Sequence, residues 1–495
     1  RIADEDDDPE TANDVKIVGI DDSDTLYSSH HCVYAPEGGQ DSTRFLTRTC
    51  RYTNLYYEPQ TENFHYFPSP SERETVDFLT LAANMEVSLG HVIRTSTNRE
   101  QTPPESIWKP EIHNDTQPPE KYAIMSSPSN LVFQLYIPFY SFNMGHLLWD
   151  DALALFSMLD TFRLTGLNDD DPDITPLPFY VEMKKGDKYF RCDAANKGLR
   201  DRWGLCTKMY NRFFPHIYRY QPHKSGDILR TGNWLRGMSG VYGGVVVNTT
   251  NNEDVSNAIN LHGSEDESGW NQMLPNATLV LLPTVLAGIG KHGQMMCEGD
   301  CALHRSSQLF SFRSYLLRNI LYPNYESISK QLPAGYITFS LPGGSSRPHE
   351  VSFFENIIPI AKDLYGEEKV KVVDMAKLPT FQEEAHLAMN TAVFFANHGG
   401  GSSTSIFLPW GSSVFLYAAG AHAKYKDGPW IDIGKKVHLD SIFYATSSYI
   451  RPTWIHENER DDVVRIAKML QSEYKRTMES WIERGIHTND GQIQD

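Results

Sequence analysis

Between residues 335 and 417 short apolar runs alternate with amphipathic segments, and this alternation restricts the fold more than any other feature of the chain. "GYITFS" (335–340), "VKVVDM" (370–375), "AVFFAN" (392–397) and "SSVFLY" (412–417) read as strands. "VSFFENIIPIAKDLYG" (351–366) and "LPTFQEEAHLAMNT" (378–391) read as the helices between them. Strands that are apolar on both faces need cover on both, and helical crossovers return the chain to the same end. The pattern therefore predicts a parallel sheet between helical layers.

Upstream the reading is coarser. "NLVFQLYIPFY" (130–140) predicts a buried strand, and "MGHLLWDDALALFSMLDTF" (144–162) a helix with Leu148, Ala152, Leu155, Phe156 and Leu159 on its buried face. "PFYVEMK" (178–184) and "GVVV" (244–247) are further strands, and 195–214 reads as mostly helical. Residues 306–321 form an amphipathic helix able to join two halves. The stretch 26–130 is rich in Tyr, Pro and Ser with little periodicity, so it is expected to wrap a domain rather than build one. The last long helix, 461–485, follows the completed sheet.

Composition limits function. With 45 basic against 63 acidic side chains the net charge is −18, and no basic stripe exists to release counterions from a nucleic acid. The first 25 residues hold ten acids and two bases (−8), a composition suited to a solvated stem. The longest apolar run, 277–290, is too short for a bilayer and contains Pro283. The chain has neither an initiator Met nor a signal peptide, so it is read as a mature chain whose targeting segment has been removed. Six cysteines fall in local pairs, Cys32 with Cys50, Cys192 with Cys206 and Cys297 with Cys301, at spacings compatible with disulfides. "CEGDC" (297–301) lacks the second ligand pair that a zinc site needs. Three sequons, at Asn114, Asn248 and Asn276, agree with the cysteines in indicating a secretory-pathway lumen, Golgi or endoplasmic reticulum.

Two segments carry candidate chemistry. In "FFANHGGGSSTSIFLPWGSSVFLY" (394–417) a strand ends in Asn397 and His398; Gly399, Gly400 and Gly401 allow close backbone approach, and Ser402, Ser403 and Thr404 open a helix. Free N–H groups and the helix dipole at the carboxyl edge of a parallel sheet make an anion site. An esterase would need a G-x-S-x-G elbow, which the chain lacks, and no Rossmann or Walker glycine pattern occurs at this turn. In "FNMGHLLWDDALALF" (142–156), Asn143, His146 and Asp150 are spaced to share a helix face, with Asp151 adjacent. A His beside a carboxylate can serve a general base. Asp171 and Asp173 in "NDDDPD" form the carboxylate pair a metal-dependent GT-A enzyme would use, although such a run suits an exposed acidic loop better.

Together, Asn143-x-x-His146-x-x-x-Asp150-Asp151 and the late His398-Gly-x-Gly loop ending in "FLPWGSSV" resemble glycosyltransferase family 61. Its members include plant cell-wall xylosyl- and arabinofuranosyltransferases and animal lumenal N-acetylglucosaminyltransferases. The agreement is clearest over 130–165 and 333–420 and weaker at 50–57. Such enzymes usually have His-Gly-Ala-Gly followed by Leu-Thr-Asn, where this chain has three glycines and Ser402-Ser403-Thr404, and an Arg where this chain has Ser340 and Leu341. A second family Arg fits Arg347.

The resemblance implies an α/β chain of GT-B type, with two Rossmann-like domains facing each other across a cleft. Its expected divisions are a stem (1–25), an acceptor-side domain (26–320), a nucleotide-sugar domain (321–455) and a C-terminal helix packing back (456–495). It implies an inverting glycosyltransferase using a nucleotide sugar, UDP-linked, with no required metal or other cofactor. Partners would be that donor and a glycan or glycoprotein acceptor, with a membrane only through a removed type II anchor. Arg347 and residues 397–404 would hold the donor; Asp150 or Asp151, supported by His146 and Asn143, would take the acceptor proton, with Trp149 close by. The alternatives are a carbohydrate-binding protein on a transferase fold and a GT-A enzyme.

Overall fold

A computed structural model describes residues 26–34, 48–58, 63–89, 93–94, 100–101, 107–119, 122–125, 131–136, 148, 152–167, 175–180, 245–248, 279–288, 306–321, 324–341, 348–397, 400–418, 449–456, 459 and 461–486. Within them the chain is mixed α/β, with two principal sheets.

The first sheet is built from β1 (Ser29–Tyr34), β2 (Arg48–Glu58), β3 (Asn63–Tyr66), β8 (Glu111–Ile112), β9 (Tyr122–Met125), β10 (Leu131–Tyr136), β11 (Thr175–Tyr180), β12 (Val245–Asn248) and β13 (Val280–Gly288). The intervening β4 (Val87–Ser88) pairs with β7 (Ile107–Trp108), and β5 (Ile93–Arg94) with β6 (Glu100–Gln101). The main path runs β11-β10-β13-β2-β3-β8. β11, β10 and β13 are parallel, whereas β2 runs antiparallel to β13, β1 and β3.

The segment expected to wrap a domain instead supplies the middle of this sheet. β2 pairs with β13 along nearly its whole length, and Tyr52, Leu55, Tyr56 and Tyr57 are fully buried. Its aromatics alternate poorly because both faces are covered, so the period-2 signal of a half-buried strand is missing. The apolar run 277–290 is β13, and Pro283, which has no N–H to donate, falls opposite Asn54, where the backbone turns left-handed (φ 54°). Gly288 (φ 135°) lies where a Cβ would come 2.7 Å from the Arg48 carbonyl oxygen, so only glycine fits. Cys32 and Cys50 face each other across β1 and β2 and form a disulfide. Cys192, Cys206, Cys297 and Cys301, the segment 195–214 and Asn276 lie outside the described residues.

The second sheet is entirely parallel: β14 (Tyr336–Leu341), β15 (Val370–Asp374), β16 (Thr391–Asn397), β17 (Ser413–Ala418) and β18 (Arg451–His456), in the order β15-β14-β16-β17-β18. The first four match the expected strands within a residue or so, and β18 was not anticipated. β16 is buried along its whole length. Phe339, Phe395 and Phe415 stack across three neighbouring strands at 4.5 Å, with ring planes 14° and 10° apart. That face also packs Phe354 and Ile357 from one helix and Leu470 and Trp481 from another.

The helices, in chain order, are α1 (Pro70–Thr75), α2 (Phe78–Met85), α3 (Leu153–Thr161), α4 (Ser306–Ile320), α5 (Tyr325–Ser329), α6 (Pro348–Tyr365), α7 (Phe381–Met389) and α8 (Val463–Glu483). α6 and α8 therefore cover the Phe-stack face. The opposite face, with Phe394, Ala396, Val414 and Leu416, belongs to one apolar cluster that runs through α7, α4 and α3 to the first sheet. Phe156 of α3 meets Phe312 and Tyr315 of α4, each at 5.3 Å. Leu148, Ala152, Leu155, Phe156 and Leu159 are all fully buried, as their spacing predicts. Among the described residues no helix is long and apolar enough to cross a membrane.

α8 is bound to the second sheet by a polar cluster. Glu473 accepts from Ser413 Oγ (2.8 Å) and Arg476 Nε (2.9 Å), and Arg451 Nε lies 3.3 Å from it. Arg476 also donates to the Gly411 carbonyl (3.0 Å), and Trp481 Nε1 to that of Trp410 (2.8 Å).

Candidate functional site

The strand order of the second sheet contains a reversal. From β14 the chain crosses through α6 to β15 on one side; it then returns past β14 to β16, and the later strands extend the other side. The reversal falls between β14 and β16, and in such sheets the usual ligand position is the crevice outside the carboxyl ends of those two strands. β14 ends at Leu341 and β16 at Asn397, so the glycine loop expected to hold the donor starts at this crevice.

Asn397 is 7% exposed, and neither Nδ2 nor Oδ1 has a hydrogen-bond partner among the described residues. A buried amide left unpaired costs about 1–3 kcal/mol. β16 places it there because the strand's Cβ atoms alternate: Val393 and Phe395 point into the Phe-stack core, and Asn397 is the next residue on that side.

Gly400–Phe407 form a 3-10 helix, long for this type, in which Ser402, Ser403, Thr404 and Ser405 are all buried. The Thr404 hydroxyl donates to Glu384 in the first turn of α7, so it already serves packing. Ser403 Oγ and Ser405 Oγ have no partner among the described residues. α7 is itself fixed by Thr380, whose side chain accepts from Glu383 N (3.2 Å).

The carbonyl end of the 3-10 helix is held from two directions. Arg313 of α4 is buried and donates from Nε to the Leu408 carbonyl (2.9 Å) and from Nη2 to that of Phe407 (3.0 Å). Tyr449 Oη donates to the Ile406 carbonyl (2.6 Å). Burial lowers the Arg313 pKa, partly opposed by the Tyr449 and Tyr325 hydroxyls, and burial raises that of Tyr449. A cation at a helical carboxyl end complements the backbone dipole, and the N–H end of this helix lies at Gly400 and Gly401.

Arg313 escaped the sequence reading although a signal was present. Leu309, Phe312, Arg313, Leu316, Leu317 and Ile320 mark one helical face, and an Arg on an apolar stripe needs a buried acceptor. Of the expected donor residues, the structure brings Asn397, Gly400, Gly401, Ser402, Ser403 and Thr404 into this one connection. Arg347, His398 and Gly399 lie outside the described residues, as do Asn143, His146, Trp149, Asp150, Asp151, Asp171 and Asp173. Of the described sequons, Asn114 sits half-buried in a turn and Asn248 ends β12. Compared with family models and with curated proteins, the sequence matches none.

Proposed function

We propose that the chain is an inverting glycosyltransferase of the GT-B type. It would move a sugar (xylose, arabinose or N-acetylglucosamine) from a UDP-linked donor to a hydroxyl of a glycan or glycoprotein in the secretory-pathway lumen. The observation that supports this best is Asn397: a buried amide without a partner among the described residues, at the switch point of a parallel sheet, followed by a glycine-rich turn. A polar group is kept in such a place when a ligand completes it.

In this reading the acceptor hydroxyl attacks the anomeric carbon from the side opposite the nucleotide, in one displacement. Asp150 or Asp151, supported by His146 and Asn143, takes the hydroxyl proton. Charge developing on the leaving diphosphate is met by Arg347 and by the N–H groups and hydroxyls of 398–404. Thr404 contributes least, since Glu384 already engages its hydroxyl.

Calorimetric titration of the full chain with UDP and UDP-sugars tests the reading. At least one should bind saturably without added Mn²⁺. Asn397→Ala should weaken it about tenfold or more, the equivalent of one buried hydrogen bond at about 1.4 kcal/mol per decade. The same substitution should leave the unliganded protein at least as stable as the parent, because it removes an amide that has no partner among the described residues. Absence of binding by every nucleoside diphosphate, with binding of free glycans, would overturn the assignment in favour of a carbohydrate-binding protein.

A further inference from the structure

At the outer edge of the first sheet three potential metal ligands converge. His65 lies on β3, beside Glu111 in the parallel register with β8, and His113 follows two residues after Glu111. The backbone bond from His113 N to the Tyr66 carbonyl (2.9 Å) continues the ladder, so Glu111 and His113 project to the same side. His65 Nδ1 is 2.8 Å from His113 Nε2 and 3.5 Å from Glu111 Oε2, and the three donor atoms lie within 4.8 Å of one another.

Around a tetrahedral zinc, donors at about 2.0–2.1 Å from the metal stand about 3.3 Å apart. The two separations from His65 Nδ1 bracket that value, and the ring pair needs to open by only a few tenths of an ångström. A pair of imidazole nitrogens at hydrogen-bond distance holds one shared proton between them; a cation in its place would be bound by both lone pairs and by the carboxylate.

The surroundings support a ligand set. His65 is only 7% exposed, and its other nitrogen, Nε2, has no hydrogen-bond partner among the described residues although Glu58 Oε2 is 3.6 Å away. A metal-bound imidazole characteristically presents its second N–H to a carboxylate, which fixes the ring and raises its basicity. Phe67 stacks on the His113 ring at 4.7 Å and 14° and restricts its rotation. Glu111, more than half exposed, leaves the outer side open to water.

We propose that His65 Nδ1, His113 Nε2 and Glu111 form a zinc-binding site, with Glu58 orienting His65 and water completing the tetrahedron. Two imidazoles and one carboxylate suit a borderline ion such as zinc better than magnesium or calcium. The ion would clamp β8, only two residues long and at the sheet edge, to β3.

Zinc titration of the chelator-stripped full chain, competed against a chromophoric chelator, tests the site. One tight equivalent is expected, weakened on the order of 100-fold by His113→Ala or Glu111→Gln and about tenfold by Glu58→Gln. Each variant's near-ultraviolet dichroism reports whether it folds. Cobalt loading of the unaltered protein gives a second readout that needs no variant: visible bands of a tetrahedral nitrogen–oxygen site, with no thiolate charge-transfer band. Failure of the unaltered protein to bind zinc, a tight equivalent that survives both ligand substitutions, or a thiolate band would each overturn the assignment.

Discussion

Replacing Arg313 by Met tests whether the glycine-loop helix is held from behind. The substitution keeps the aliphatic stem on α4 and removes both donors to the Phe407 and Leu408 carbonyls. A hydrogen bond from a charged donor contributes about 1.5–3 kcal/mol net of lost hydration, so the pair amounts to about 3–6 kcal/mol. Relief from burying a guanidinium and the packing of Met offset part of this, which points to the low end, about 3 kcal/mol. Tyr449 still holds the Ile406 carbonyl, so the effect should be local opening rather than global unfolding. Hydrogen exchange of a peptide covering 400–408, followed by mass spectrometry, should then quicken roughly 100-fold, at about 1.4 kcal/mol per decade. Arg313→Lys, a single point charge able to reach one carbonyl, should quicken it about tenfold. Exchange within about threefold of the parent in Arg313→Met, or slower exchange, would show that the buried cation does not anchor this helix.

Gly288→Ala forces a Cβ against the backbone at Arg48 and Thr49 at φ 135°; overpacking and backbone strain should together lower stability by about 2–5 kcal/mol, read from the urea midpoint. Glu473→Ala removes the acceptor shared by Ser413 and Arg476; because Arg476 keeps partial access to water, the loss should be about 1–3 kcal/mol, smaller in Glu473→Gln, on thermal melting. Burial raises the pKa of Tyr52, Tyr56, Tyr66, Tyr315 and Tyr449, and pushes Tyr365 up to about 12. Above pH about 10 the unfolded phenols lose protons that the folded ones retain, so stability should fall as pH rises. Tyrosinate absorbance should therefore rise in a late step coincident with unfolding; smooth titration of every tyrosine before the fold is lost would contradict the burial.

How much of this was legible depended on whether a segment's neighbours were local. β14, β15, β16 and β17 are joined by helical connections, and their apolar runs and caps lie within a few residues of the signals that mark them. Their covered faces need no distant information. β2 is different: its partners β13 and β1 and the Cys32–Cys50 link give it a central place, and β13 begins more than two hundred residues later. No window of local sequence contains that partner, so a Tyr-rich strand buried on both faces reads as irregular. The hydroxyls after the glycine loop show the same limit at the scale of the site. Ser402, Ser403 and Thr404 look equivalent in sequence, yet Glu384 of α7 engages Thr404, and Ser403 Oγ has no partner among the described residues.

That inequality bears on the ligand site proposed above. Asn397, Ser403 and Ser405 place four buried polar atoms without a partner among the described residues within nine residues of one strand-to-helix connection. The adjoining core is well packed: three stacked phenylalanines lie on one side, and Arg313 and Tyr449 saturate the helix's far end. A fold able to satisfy the carbonyls of 406–408 so thoroughly could have placed apolar side chains at 397, 403 and 405 at lower cost. Local conflict inside an otherwise consistent core is where function is expected to outweigh stability. In the proposed function the two ends have complementary tasks: the carbonyl end fixes the helix in place, and the amino end would keep hydrogen-bonding capacity for a ligand at the sheet's switch point.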